Sequence, residues 1–248
     1  MKRSALIIVG LLLSMTVAQA ETASLRMRFA LDPSSATAQA GNFNANPLGK
    51  SNQLEIDPDS NGIRNVVVYV YTGRGGTKLK IAPHKGEQLK LTIAENGFHP
   101  HVVLARLGDT LEILNRSPRR HFPQITFFNA PAVNIESLPG RSDFVRLPAG
   151  APTTAAIECL VTPSLNALLL IMDHPFGCVS DKNGAVAIEG LPVGTKLIFR
   201  VWHEAGHFNH VKIYGDSVEW RRSRFELTLA PGVNDFGDVL VSGQTFQK

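Results

Sequence analysis

Apolar and polar residues alternate one by one along most of this chain. Leu25-Arg26-Met27-Arg28-Phe29, Leu89-Lys90-Leu91-Thr92-Ile93, Leu111-Glu112-Ile113-Leu114 and Phe225-Glu226-Leu227-Thr228-Leu229 all follow this period of two. Successive side chains of a strand point to opposite sides, so each stretch puts its apolar residues on one face. Val66 to Tyr71 and Ala167 to Met172 are apolar throughout, which predicts strands buried on both faces. Turn-forming residues punctuate the pattern at Gly73-Arg74-Gly75-Gly76, Pro139-Gly140, Asn183-Gly184, Pro192-Val193-Gly194 and Pro231-Gly232. No convincing amphipathic helix interrupts it. A sheet with one apolar face needs a second layer to bury it, so the expected class is an all-β sandwich.

The first 20 residues break the pattern. Lys2 and Arg3 precede an apolar core from Ala5 to Val17, and Ala18-Gln19-Ala20 supplies small residues for cleavage. This is the layout of a secretory signal, and it is too short for a membrane span of about 20 apolar residues. The expectation is a periplasmic or secreted protein with no membrane span in its mature chain. The formal charge of +4 includes Lys2 and Arg3, so the mature chain is close to neutral and nucleic acid is not an expected partner. The clusters Arg116/Arg119/Arg120 and Arg221/Arg222/Arg224 are local exceptions that could face an anion, although solvated loops explain them as well.

Cys159 and Cys178 are the two cysteines. An oxidising compartment permits a disulfide between them, closing a loop of about 20 residues worth roughly 3 kcal/mol. The run Ala167 to Met172 spans about 20 Å as a strand and separates the two, which favours a buried, unpaired Cys159.

His203-Glu204-Ala205-Gly206-His207 matches the H-E-x-x-H pattern of zinc peptidases. That chemistry needs a helix, which puts both His on one face and lets the Glu activate a metal-bound water. Here Leu197 to Trp202 alternate like a strand, and Gly206 and Asn209 are poor helix formers. A strand end followed by a polar loop is expected, and the peptidase stands as a distant alternative. His203, His207 and His210 also form a loop set of the kind that takes zinc or copper adventitiously. Gly73 to Gly76 lacks the helix and Lys-Ser/Thr pair of a phosphate loop, and is expected to be a turn.

Several stretches match together across about residues 62–243. They are Phe98-His99-Pro100-His101-Val102-Val103, Gly108-Asp109-Thr110-Leu111-Glu112-Ile113, Asn115 to His121, Cys159 to Leu165, Asp173-His174-Pro175-Phe176, Glu189 to Gly194, Phe199 to Glu204, and Trp220 to Glu226 followed by Pro231-Gly232. In combination they resemble the secreted cupredoxin-like, plastocyanin-related proteins common in planctomycete-type bacteria. The resemblance implies a cupredoxin-like Greek-key sandwich and a type I copper site, in which two His, a Cys and usually a long axial Met converge. His121 stands at the first His and Cys159 at the thiolate. Thr162 stands where the second His is expected and Leu165 where the Met is expected. Asn96 and Gly97 replace a Cys that often precedes the Phe-x-Pro-His stretch.

The resemblance therefore implies a non-catalytic binding or scaffold protein with a largely lost copper site and no resident cofactor. Its partner is expected to be an extracytoplasmic protein or glycan. The alternative is a copper electron-transfer protein that uses His121, Cys159 and a substitute imidazole from His99, His101 or His174.

The part from Val179 to Trp202 resembles the second half of a carboxypeptidase-regulatory or transthyretin-like sandwich, a fold grouped with carbohydrate-binding-like domains. Leu25 to Leu31 and Asn65 to Tyr71 fit its first half. The expected organisation is a signal at 1–20, a transthyretin-like sandwich from 21–77 plus 176–248, and a cupredoxin-like domain at 78–175. The simpler alternative places a cupredoxin at about 62–175 with an independent domain after it.

Overall fold

The computed structural model describes residues 21–35 and 54–246. The expected export signal lies outside the described residues, as does 36–53 of the irregular connection that precedes Ile63.

The chain is all-β. In order, the strands are β1 (Thr22–Leu31), β2 (Val67–Val70), β3 (Gln88–Ala94), β4 (Gly97–His99), β5 (Val102–Arg106) and β6 (Thr110–Asn115). Next come β7 (Pro123–Phe127), β8 (Val133–Asn134), β9 (Ser142–Arg146), β10 (Thr153–Cys159), β11 (Asn166–Met172) and β12 (Gly177–Val179). The last are β13 (Ala185–Pro192), β14 (Lys196–Trp202), β15 (His210–Ile213), β16 (Asp216–Glu219), β17 (Arg224–Thr228) and β18 (Gly232–Val241). Among the described residues, helix is limited to single 3-10 turns at Arg221–Ser223 and Gly243–Phe246.

Strands β3 to β11 form a cupredoxin-like sandwich. One sheet runs β4-β3-β6-β9 and the other β5-β11-β10-β7-β8. The pairs β3–β6 and β5–β11 are parallel, and the remaining ladders are antiparallel. Leu91, Ile93, Leu111 and Ile113 from the first sheet meet Ile125, Ile157, Leu169 and Ile171 from the second in one core. These are the alternate residues that period two predicts.

The remaining strands form two more sheets, β13-β1-β18-β15-β16 and β12-β2-β14-β17. β1 lies between β13, which runs antiparallel to it, and β18, which runs parallel. β2 lies between β12 and β14. Leu25 and Phe29 of β1 share a second core with Val68, Phe199, Val201 and Val239.

The two apolar runs behave differently. β2 is buried at Val67, Val68 and Val70. β11 alternates instead, leaving Leu168 and Leu170 half-buried. One face of β11 points into the sandwich and the other is its outer face, so the expected burial on both sides is corrected there.

Candidate metal site at His121 and Cys159

The loop after β6 is wound around one side chain. Asn115 is buried, and its amide donates to the carbonyls of Arg119 (2.8 Å) and Ser137 (3.0 Å). Its Oδ1 accepts the Ser117 N–H at 3.0 Å. This side chain satisfies loop backbone that a strand ladder would otherwise have to satisfy. The loop returns through His121, which exchanges two backbone hydrogen bonds with Ser137 at 3.0 and 2.9 Å. His121 is thereby fixed two residues before β7 begins at Pro123.

β10 carries Cys159 to the same end of the sandwich, opposite Pro123 of β7. Cys159 Sγ lies 3.6 Å from His121 Nδ1, and both residues are buried, at 1% and 5% exposure. The other ring nitrogen, Nε2, is 2.7 Å from Ser117 Oγ. That hydroxyl also lies 3.1 Å from the Arg119 carbonyl, to which it can donate. When it does so, it accepts the Nε2–H of His121 and leaves the Nδ1 lone pair facing the sulfur. Burial, aided by the Arg119 charge, pushes the His121 pKa below its ordinary value. The imidazole is therefore neutral at neutral pH.

The loop from Cys159 to Leu165 closes as two tight turns. Thr162 N–H donates to the Cys159 carbonyl (3.2 Å), and Leu165 N–H donates to the Thr162 carbonyl (2.9 Å). Cys159 N–H donates to the Leu165 carbonyl at 3.0 Å, so these two residues sit side by side. Leu165 is buried in the same core as Cys159. Thr162 is half-buried, and its hydroxyl makes no hydrogen bond with the described residues.

One nitrogen and one sulfur converge here, where a type I centre needs two imidazoles, a thiolate and an axial thioether. The residues present do not fit that group. Among the described residues, no set of three or more His, Cys, Asp and Glu side chains gathers as a metal-holding group.

The candidate substitute imidazoles are engaged elsewhere. His101 Nε2 is 2.5 Å from Glu204 Oε1, and its Nδ1 is 3.2 Å from the Asn166 carbonyl. His174 donates Nε2–H to the Val70 carbonyl (2.7 Å) and accepts the Phe176 N–H at Nδ1 (3.1 Å). His99 is exposed and bonded to Asn96 Oδ1 at 2.9 Å.

The zinc-peptidase alternative is corrected by the backbone. Residues 203–207 form a turn closed by a His203–Gly206 bridge. His203 is buried, with Nε2–H on the Arg64 carbonyl (3.1 Å) and the Ala205 N–H on Nδ1 (3.0 Å). His207 is exposed, and His210 is exposed on β15. Without a helix the two histidines do not share a face, and both nitrogens of His203 are already bonded. Cys159 and Cys178 are unpaired and belong to different sandwiches.

No family model matches the chain, and no curated protein matches it. Among solved structures, the chain is similar to an oxidized mutant of amicyanin at 17% identity, covering 34% of this chain and 80% of that one, with a TM-score of 0.29. The copper-containing nitrite reductase of Thermus scotoductus SA-01 is 17% identical, over 42% of this chain and 25% of that one, with a TM-score of 0.31. The purple cupredoxin of Nitrosopumilus maritimus is 13% identical, over 33% of this chain and 97% of that one, with a TM-score of 0.28.

Ser117 and Glu204 were not singled out in the sequence for what they do here. Ser117 lies inside the Asn115 to His121 stretch, and its spacing of four from His121 is the available signal. The His101–Glu204 contact joins positions 103 residues apart and carries no local signal.

Proposed function

We propose that this chain is a non-catalytic, extracytoplasmic binding or scaffold protein whose type I copper site has largely been lost. The observation that carries this reading is Leu165. It stands where an axial thioether is expected, yet it packs as core beside Cys159. The proposed organisation is a cupredoxin-like unit at about 78–175, inserted into a transthyretin-like sandwich made of 21–77 and 176–248. The pairing of β1 with β13 and β18, and of β2 with β12 and β14, supports it. Export rests on the sequence of residues 1–20. The proposed partner is an extracytoplasmic protein or glycan, and Leu160 and Val161, both exposed next to Cys159, give it an apolar contact.

The test is copper titration of the mature protein, followed by visible absorption. Wild type is expected to bind Cu(II) weakly, without an intense thiolate-to-copper band. The double change Thr162→His with Leu165→Met restores the His/Cys/His/Met set and is expected to gain that band. An intensely coloured wild type overturns the lost-site reading. A double variant that stays colourless and copper-free overturns the assignment of Thr162 and Leu165 to the two ligand positions.

A further inference from the structure

The sandwich that holds β1 and β2 is open along one side. β16 ends one of its sheets and β17 the other, and among the described residues neither strand has a neighbour beyond it. Along this side the core is incompletely covered. Val218, Phe225, Leu227 and Phe236 pack against it yet are only half-buried. Together with Met27 and Trp220 they line a cavity of about 630 Å³. An open edge beside uncovered core is a template for pairing with another strand.

The ladder of β14 decides which groups β17 offers at that edge. The Ile198 carbonyl accepts the Tyr71 N–H (2.7 Å), and the Ile198 N–H donates to Thr77 Oγ1 (2.7 Å), so Ile198 turns away from β17. Leu197 and Phe199 therefore bond β17 through their register partners Leu227 and Phe225. Arg224, Glu226 and Thr228 direct their backbone groups outward. The Arg224 N–H is taken by the Arg221 carbonyl, which leaves the Arg224 carbonyl and both Glu226 groups to a partner. The side chains alternate as well. Phe225 points into the core, stacked on Trp220 at 4.5 Å, while Arg224 and Glu226 lie on the outer face. There the Arg224 guanidinium packs on Tyr71, with Cζ 3.6 Å from the ring centroid. Among the described residues it has no carboxylate partner. Glu226 pairs with Lys196, and both are exposed.

We propose that this edge binds a second copy of the chain, with the two β17 strands antiparallel about a two-fold axis at Phe225. In that register Arg224 lies opposite Glu226 of the partner subunit, and Glu226 lies opposite Arg224 of the partner subunit. The Glu226 N–H of each copy donates to the Arg224 carbonyl of the other. Directly opposed residues share a face, so each Arg224 gains on the outer side the carboxylate that it lacks. On the inner side the two Phe225 rings meet over the uncovered core. The charges select this register. An axis at Arg224 sets two guanidinium groups together, and one at Glu226 sets two carboxylates together. An axis midway between residues opposes outward backbone groups to groups already used by β14. The exposed Lys196–Glu226 pair is screened by solvent and gives way readily. An isologous contact of this kind closes as a dimer and leaves neither β17 edge open. The edge belongs to the other sandwich from His121 and Cys159, so its test is independent of the copper-site reading.

The experiment is sedimentation velocity on the mature protein from about 1 to about 100 μM, where a monomer–dimer equilibrium is expected. Glu226→Arg opposes like charges twice in the dimer and is expected to weaken it about tenfold or more. Arg224→Glu is expected to do the same. An equimolar mixture of the two single variants sets a basic strand against an acidic one, and is expected to associate about as well as wild type. A variant that had merely lost its fold would not regain association on mixing. Arg224 also packs on Tyr71, so Glu226→Arg, at an exposed position, carries the test where Arg224→Glu does not fold. A wild type that stays monomeric over this range, a dimer unaffected by Glu226→Arg, or folded single variants that do not associate when mixed overturns the proposal.

Discussion

His174 and His203 use the same device. Each donates Nε2–H to a carbonyl of the 64–70 segment and accepts at Nδ1 the backbone N–H two residues further on. The device suits only a neutral ring, because imidazolium has no lone pair for that N–H. Burial lowers both pKa values, and for His203 the fall is to about 4. A folded pKa below the unfolded one means that the unfolded chain takes up protons first. Stability from these rings is therefore complete above the unfolded value of about 6.5 and drains away as the pH falls toward 4. For His203 the amount is on the order of 3 kcal/mol. Denaturant unfolding at about pH 7 and about pH 4.5 is expected to show a large loss in wild type and a smaller one in His203→Gln. An equal loss in both proteins would mean that other groups govern the acid limb.

At the scale of elements, the turn between β12 and β13 shows how a local signal acquires a long-range reason. Asn183-Gly184 is a strong turn pair in any sequence. Gly184 takes φ +82°, and a Cβ placed there would lie 2.0 Å from the Phe29 carbonyl oxygen of β1. That closeness comes from the Phe29 N–H, which donates to the Gly184 carbonyl at 2.8 Å. Gly184→Ala therefore combines backbone strain with a clash against fixed backbone, and is expected to cost about 2–3 kcal/mol in chemical denaturation. Gly75 has a similar φ of +74° with nothing within 4 Å. Gly75→Ala is expected to cost only about 1 kcal/mol, the backbone part alone. Equal losses at the two sites would show that the approach to β1 is not what constrains Gly184.

Across the whole molecule, polar contacts among the described residues tie the 88–172 sandwich, and the Asp173-His174 link that leaves it, to the other sandwich. They are His101 to Glu204 at 2.5 Å, Thr72 Oγ1 to Asp173 at 3.1 Å, and His174 to the Val70 carbonyl at 2.7 Å. Burial alone would lower the His101 pKa, but the Glu204 carboxylate outweighs it and the pKa is raised. The sign is thus opposite to that of His203. This tie is at full strength below about pH 6.5 and weakens as the pH rises through the folded value. Glu204→Gln is expected to cost about 1–2 kcal/mol near pH 6 and little near pH 8.5, with the His101 titration, followed by NMR, moving to lower pH. A His101 titration unchanged by Glu204→Gln would refute the pairing. Because Glu204 holds the sandwiches together here, the loss should appear in stability rather than in any activity of the H-E-x-x-H pattern.

Period two by itself determined the β class and most strands, since alternation on one face needs only a covering layer and no knowledge of what covers it. Leu91/Ile93 and Leu111/Ile113 are core for that reason. The pairing of His121 with Cys159 was legible only through the cupredoxin-like resemblance of the stretches Asn115 to His121 and Cys159 to Leu165. The absence of a helix at His203 was legible from the alternation before it and from Gly206. Other features were decided only in three dimensions. An apolar run does not say whether its second face is covered, so β2 and β11 differ in burial despite similar composition. The carboxylate partner of His101 lies 103 residues away, and Arg200 meets Arg224 through a ladder register. Sequence patterns report what a residue prefers locally. Which charge finds a partner depends on how sheets distant in the chain are laid against each other.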